Sequence, residues 1–147
     1  MKIIGIDPGA SGGIALLDEE GANAWKMPDT ERDTQELFEQ LAGPFGLAFA
    51  GIEKVHAMPG QGVTSMFNFG RNYGMLRGML IANCIPFETV TPQKWQKEFS
   101  LRNSKWAKTK KKNKHKARAQ ELFPHIRVTH ALADALLIAE FMRRTKK

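Results

Sequence analysis

Three acids and one imidazole stand where this sequence could do chemistry: Asp7, Glu53, Asp134 and His130. Asp7 closes an apolar run (Ile3, Ile4, Ile6), and Glu53 closes another (LAFAGIE). Asp134 sits in ALADALLIAEFM, a stretch whose only other polar residue is Glu140. An acid at the end of a buried strand, or on a helix apolar nearly all round, is costly unless a cation or hydrogen-bond donors meet it. Clustered carboxylates suit a hard divalent cation such as Mg²⁺, with Mn²⁺ as a substitute. Two such ions per site would activate water and stabilise a leaving oxygen in phosphodiester hydrolysis. His130, four residues before Asp134 on the same helical face, is a candidate fourth ligand or proton-transfer group. Each residue also has a plainer reading. Asp7 would cap a turn, Glu53 would pair with Lys54 or Arg71, Asp134 would join a buried ion pair, and His130 would lie in an N-cap region. The convergence of three acids carries the signal, not any one of them.

The elements that must position these groups follow from the apolar pattern. Strands are expected at Lys2–Asp7, Gly12–Asp18 and Ala22–Met27, joined as an antiparallel meander through Gly-rich turns. A helix is expected over Thr30–Leu41, capped by Thr30, with Leu37, Phe38 and Leu41 on its inner face. The strand Leu47–Glu53 comes next, then a helix over Thr64–Asn83 and a strand at Pro86–Val90. Thr91-Pro92 opens a short helix through Phe99, Lys110–Leu122 reads as a basic helix stopped by Pro124, and Thr129–Arg144 is the last helix. The first and fourth strands, joined by a helical crossover, would run parallel and bring Asp7 and Glu53 to one sheet edge. This is an α/β pattern.

The chain has 147 residues and is read as one domain, 1–147, with a Lys-rich segment at 102–118. Apolar residues make up 42% of it, which excludes a disordered chain. No run reaches membrane-spanning length, no secretory leader is recognised, and the one cysteine excludes an internal disulfide framework. A reducing cytoplasm is the expected location. The net charge of +7 is unevenly spread. Residues 1–60 hold four Lys/Arg against ten Asp/Glu, and residues 61–147 hold 18 against five. Between Phe99 and Gln120 there are nine cations and no acid, which points to a polyanion, nucleic acid first. Arg71, Lys94, Lys97, Lys105, Lys114, Lys116 and Arg118 are the candidate phosphate contacts. Trp95, Phe99 and Trp106 interleave with them, either as stacking platforms or, for Trp95 and Phe99 at i, i+4, as core anchors. Gly70, Gly74 and Gly78 recur at every fourth position of one helix, which implies close approach either to the sheet or to a second subunit.

These residues also carry a resemblance. IIGIDPGASGGIALLD resembles the opening of RuvC-type Holliday junction resolvases of the ribonuclease-H-like superfamily, with Asp7 at the family's first metal ligand. IEKVHAMPGQG is similar to the strand end carrying the family's catalytic Glu, here Glu53. SMFNFGRNYG resembles the family's Ser-x-x-x-Leu-Gly-x-x-x-Gly helix, and HALADALLIA its closing acidic helix, with Asp134 at the last acid. The resemblance implies a ribonuclease-H-like fold, a five-stranded mixed β-sheet flanked by α-helices. It also implies a homodimer and Mg²⁺-dependent paired nicking of four-way DNA junctions that leaves 5′-phosphate and 3′-hydroxyl ends. By the same resemblance, basic residues near Lys116 would bind the scissile phosphate. The chain departs from the bacterial pattern in three places. Ala131 stands at the penultimate acid, with His130 one residue further back. His56 stands at the aromatic wedge, as a junction-wedge candidate. The Lys-rich stretch 105–116 looks more like phage-encoded members. Two rival readings are a ribonuclease-H-like nuclease on RNA or RNA–DNA hybrid, and a non-catalytic nucleic-acid-binding module. A sugar-kinase or actin-like ATPase would need two such domains.

Overall fold

A computed structural model describes residues 1–43 and 47–146. Pro44, Phe45, Gly46 and Lys147, which fall within the expected 1–147 domain, lie outside the described residues. The elements are β1 (Lys2–Asp7), β2 (Gly13–Asp18), β3 (Gly21–Lys26), α1 (Glu31–Ala42), β4 (Ala48–Glu53), α2 (Val63–Ala82), β5 (Phe87–Val90), α3 (Pro92–Glu98), α4 (Lys108–Leu122) and α5 (His130–Thr145). The expected elements are all present, with ends that shift by one or two residues, as helix and strand ends commonly do.

The strands form one sheet in the order β3-β2-β1-β4-β5. β1, β2 and β3 are the antiparallel meander, whereas β4 lies parallel to β1 and β5 parallel to β4. The sheet is therefore mixed, five-stranded and flanked by helices, as expected. Ile6 lies opposite Ile52, so the next residue of each strand, Asp7 and Glu53, emerges at one edge of the sheet.

Alternation along β1 divides the core into two layers. Ile4 and Ile6 join Ile14, Leu37, Phe38, Leu76 and Leu80 under α1 and α2. Ile3 joins Trp95, Phe99, Leu136 and Ile138 under α3 and α5. By the same alternation, Gly5 and Asp7 face α5.

Helix ends follow their cap residues. The Thr30 hydroxyl accepts from the Asp33 amide at 3.0 Å, and Thr91 opens α3 with Pro92 in its first turn. The Lys run from Lys108 to Lys116 forms the first turns of α4. What anchors that helix is one narrow stripe, His115 and Ala119 buried and Leu122 half-buried, at steps of four and three. Glu140, the second polar residue of the apolar helix, is structural. It is buried, it accepts from Arg144 Nε at 2.9 Å, and Arg144 reaches on to Glu98 at 3.1 Å, which ties α5 to α3.

The closest packing in the molecule lies between α5 and the sheet. A Cβ built on Gly5 would sit 2.2 Å from the Ala135 carbonyl oxygen and 2.5 Å from the Ala139 amide nitrogen. On Gly13 it would meet the Ala131 carbonyl oxygen at 2.7 Å, and on Gly51 the Met142 side chain at 2.4 Å. Three strand glycines thus make a groove, and α5 fills it with alanines at 131, 135 and 139. Because the atoms facing Gly5 are backbone, they cannot rotate away. Gly5→Ala is expected to lose about 1–3 kcal/mol or more of stability, the range for overpacking a filled core. Urea unfolding should show the midpoint falling, and an unchanged midpoint would contradict the groove.

Candidate active site

Asp7 is held by its own turn. The chain folds back through Pro8–Gly13 so that Gly12 packs on it; a Cβ there would meet the Asp7 backbone oxygen at 2.2 Å and its carboxyl carbon at 2.8 Å. The backbone of Gly9, in the same turn, favours the ionised form of the Asp7 carboxylate. Glu53 lies at the end of β4, and Trp95 Nε1 donates to its Oε2 at 2.7 Å. Neither Lys54 nor Arg71 takes the pairing that the plainer reading assigned to them. Asp134, on the second turn of α5, is hydrogen-bonded through Oδ1 to His115 Nδ1 at 2.8 Å. Trp95 and His115 meet edge to face, with ring centroids 5.2 Å apart and planes at 71°.

The acids are close enough to feel one another. Burial, reinforced by the Asp134 charge, pushes the Asp7 carboxyl up to about 7, against the pull of the Gly9 amide. Burial, then the Asp7 charge, pushes Glu53 up to about 8, although the Trp95 hydrogen bond opposes this. Asp7 and Asp134 thus each raise the cost of ionising a neighbour, on top of the larger cost of burial. Among the described residues, no three His, Cys, Asp or Glu side chains are already drawn together as metal ligands. The donor set fits a divalent cation chemically, being all carboxylate oxygen and uncompensated by any nearby lysine or arginine pairing.

Asp7, His115, His130 and Asp134 line one cleft of about 280 Å³, with Gly9, Ser11, Gly12 and Lys112. His130 is therefore present at the site, exposed and without a hydrogen bond among the described residues. Glu53 opens on the other side into a cavity of about 520 Å³ formed with His56, Met58, Ser65, Phe69 and Pro92. His56 is exposed at that mouth.

The basic residues divide. Lys94, Lys97 and Lys105 are exposed around α3 and its following loop. Arg71 is exposed on α2, beside Pro8, Ala10 and Asn72. Lys114 stands over the Trp106 ring at 5.7 Å, and Arg118 pairs with Glu121 at 3.0 Å. Lys116 is half-buried and does not line the acidic cleft, whereas Lys112, one turn earlier, does. Trp95 and Phe99 are core residues, 0% and 3% exposed, so they cannot stack on a base. Gly70, Gly74 and Gly78 are exposed and have open space where a Cβ would go, so they make no approach to the sheet.

Sequence reasoning missed His115 and Lys112. His115 was legible as the large member of the stripe 115–119–122, the one face that a lysine-rich helix can bury. Lys112 is masked by its neighbours, since five other lysines within four residues look equivalent until the helix is docked.

Two solved structures share this fold over nearly their whole length. RuvC of T. thermophilus in complex with a Holliday junction substrate matches with a TM-score of 0.63 at 14% identity, over 99% of this chain and 96% of that one. A second structure of Thermus thermophilus RuvC gives 0.60 at 15%, over 99% and 97%. The chain has a RuvC-like fold. No protein-family model matches it, and no curated protein matches it by sequence.

The raised acids set a pH dependence for the metal-free protein. The native state holds protons up to about pH 7 at Asp7 and about pH 8 at Glu53, whereas the unfolded chain releases them near 3.8 and 4.5. The native state therefore binds more protons across that window, and stability falls as pH rises through it. Calorimetry in EDTA should show Tm declining from pH 5 to pH 8, and Asp7→Asn should flatten the decline. A Tm that climbs over this range in the wild type would contradict the crowding.

Proposed function

We propose that the protein is a metal-dependent endonuclease that resolves four-way DNA junctions and related branched DNA by paired nicks. The observation that carries this reading is the convergence of Asp7, Glu53 and Asp134 at one sheet edge, mutually repelling and flanked by a basic helix, in a RuvC-like fold. Binding alone does not explain it, because acids beside a phosphate weaken binding. Asp7, Glu53 and Asp134, with His130 as a further candidate, would hold Mg²⁺ or Mn²⁺, two ions per site. Bound there, such ions supply water activation and neutralise the charge that develops on the leaving oxygen. The chain's own groups do the remaining work. Lys112 faces the scissile phosphate from α4, and Lys94, Lys97 and Lys105 extend the backbone contact along α3 and its loop. His130 receives or delivers the proton at the cleft mouth. In-line attack at phosphorus expels the 3′-oxygen and leaves a 5′-phosphate.

Paired nicks require two sites, and α2 carries the surface for a second copy of this chain. Val63, Phe67 and Ile81 are 87%, 68% and 67% exposed, and they share one face with Gly70, Gly74 and Gly78. Apolar residues and glycines at steps of three and four form a seam that two copies related by a two-fold axis would close backbone to backbone. The wedge role of His56, a cytoplasmic location and a phage source belong to the same reading. No helix among the described residues is long and apolar enough to cross a membrane.

The direct test offers the protein a four-way junction, a linear duplex and an RNA–DNA hybrid, each with Mg²⁺. Junction cleavage is expected, and cleavage of the hybrid alone would transfer the reading to a ribonuclease-H-like nuclease. Asp7→Asn should lose cleavage by more than the roughly 10–100-fold typical of removing an outer partner of a metal site. It should still bind the junction in EDTA, and if it cuts at the wild-type rate the metal-site assignment fails. Sedimentation should give a particle of about twice the 16.5 kDa chain, and Gly74→Arg should return it to one chain and abolish paired nicking.

A further inference from the structure

We propose that Trp95 and His115 are positioning residues that each grip one oxygen of a catalytic carboxylate and leave the other oxygen for the cation. This inference rests on the metal-dependent reading above and deepens it.

The two contacts are built alike. Trp95 Nε1 donates to Glu53 Oε2 at 2.7 Å, and His115 Nδ1 meets Asp134 Oδ1 at 2.8 Å. Glu53 Oε1 and Asp134 Oδ2 have no protein hydrogen bond among the described residues. Glu53 lines the 520 Å³ cavity, and the Asp134 side chain is 30% exposed, so both carboxylates remain open to an incoming ion. The donors themselves are not open. Trp95 is 0% and His115 9% exposed, and their rings brace each other edge to face. A buried indole N–H needs an acceptor, and Glu53 is the one within reach. Since Asp134 is acceptor-only when ionised, His115 donates through Nδ1–H, and Nε2 is left buried without a partner. Glu53 and Asp134, on different elements, are thereby joined through two rings from α3 and α4 that meet edge to face.

The consequence is geometric. A carboxylate with one oxygen tethered presents the other oxygen in a fixed orientation, and rigid outer partners of this kind raise affinity by fixing the ligand before the ion arrives. His115 also rides on the helix that carries Lys112, three residues away. One α4 placement therefore sets both the Asp134 carboxylate and the phosphate-facing cation.

The test separates positioning from mere packing. Mg²⁺ and Mn²⁺ affinities are measured by calorimetry, without DNA, for the wild type, Trp95→Phe, His115→Leu and His115→Asn. Phe removes the donor, Leu removes the donor, and Asn restores an amide N–H near the place of Nδ1. Trp95→Phe and His115→Leu are expected to weaken cation binding roughly 10–100-fold. His115→Asn should recover most of the loss, and far-UV circular dichroism should match wild type in all three. Folded Trp95→Phe and His115→Leu proteins with wild-type cation affinity would overturn the proposal. Should Trp95→Phe not fold, ¹⁵N-labelled wild type decides. Its Trp95 indole resonance should move saturably with Mg²⁺ while those of Trp25 and Trp106 stay, and a stationary Trp95 signal overturns the proposal equally. If the wild type binds neither cation, the metal-dependent reading itself falls and takes this one with it; normal wild-type binding with indifferent variants removes this inference alone.

Discussion

The backbone of α5 lies against β1 so closely that Gly5 has no room for a Cβ, and much of the site is a consequence of that contact. With a glycine groove on the sheet and alanines on the helix, α5 can approach at one depth and one rotation. That rotation places Ala131, Ala135 and Ala139 in the groove and leaves Asp134 beside Asp7. Asp7 has reached the same point by the alternation of β1, one residue past Ile6. Had Gly5 been larger, α5 would stand off the sheet and its acid would lie further from the strand end. The electrostatic crowding is thus an outcome of steric fit, since dispersion and apolar burial hold together a helix and a sheet whose charges repel.

The chain relieves the repulsion only in part. The Gly9 backbone favours the Asp7 carboxylate, Trp95 gives Glu53 one indole donor, and His115 meets Asp134. None of these is the arginine or lysine pairing that usually settles a buried acid. The contrast with Glu140 is instructive, because it too lies on α5 and is apolar-flanked in sequence, although it is buried where Asp134 is half-buried. Glu140 is bridged by Arg143 and Arg144 and tied through Arg144 to Glu98, which makes it part of the scaffold. Two acids on one helix therefore have opposite fates, decided by whether a guanidinium lies a turn away. Asp134 has none, and its nearest cationic helix offers an imidazole and the cleft-lining Lys112.

That contrast also marks what the residues disclose before they fold. Strands bounded by Gly-rich turns, the Thr30 cap and the apolar length of the last helix follow from period and composition, so the mixed sheet and the meeting of Asp7 with Glu53 were legible. The groove glycines were less so, because Gly5, Gly13 and Gly51 look like ordinary strand interruptions until the helix that needs them is in place. Trp95 had two readings at equal strength, a base-stacking platform or a core anchor. A buried indole resolves them as core, and adds an N–H bond to Glu53 that no spacing rule predicts over 42 residues. His130 was found from its position one turn before Asp134, and it does line the cleft. His115, 19 residues from Asp134, is the imidazole that bonds it, since tertiary docking of α4 and not helical periodicity makes that pair. The glycines of α2 carried the opposite lesson. Their period was plain, but only the open space at each Cβ shows that the sheet is not what they approach.

The carboxylates cannot by themselves select a branched substrate. Three acids and a divalent cation would hydrolyse a phosphodiester in a junction, a duplex or a hybrid by the same steps, so selectivity on the proposed reading has to come from elements that do not touch the scissile bond. Two are available. The segment after Glu53, with His56 and Met58 exposed at the mouth of the larger cavity, borders the acid centre on the side away from α4. Helix α2, whose Ser65 and Phe69 help wall that cavity, carries the exposed seam of Val63, Phe67 and Ile81 along its length. One rigid helix would then set both the wall of the cavity and the spacing to a second centre. Were the two sites set apart and inclined by that seam, a linear duplex would have to bend to reach both, at a cost of several kcal/mol. A four-way junction already diverges at its centre and avoids that cost. Selectivity for branched DNA would thus arise from the geometry of α2, with the chemistry at Asp7, Glu53 and Asp134 left general.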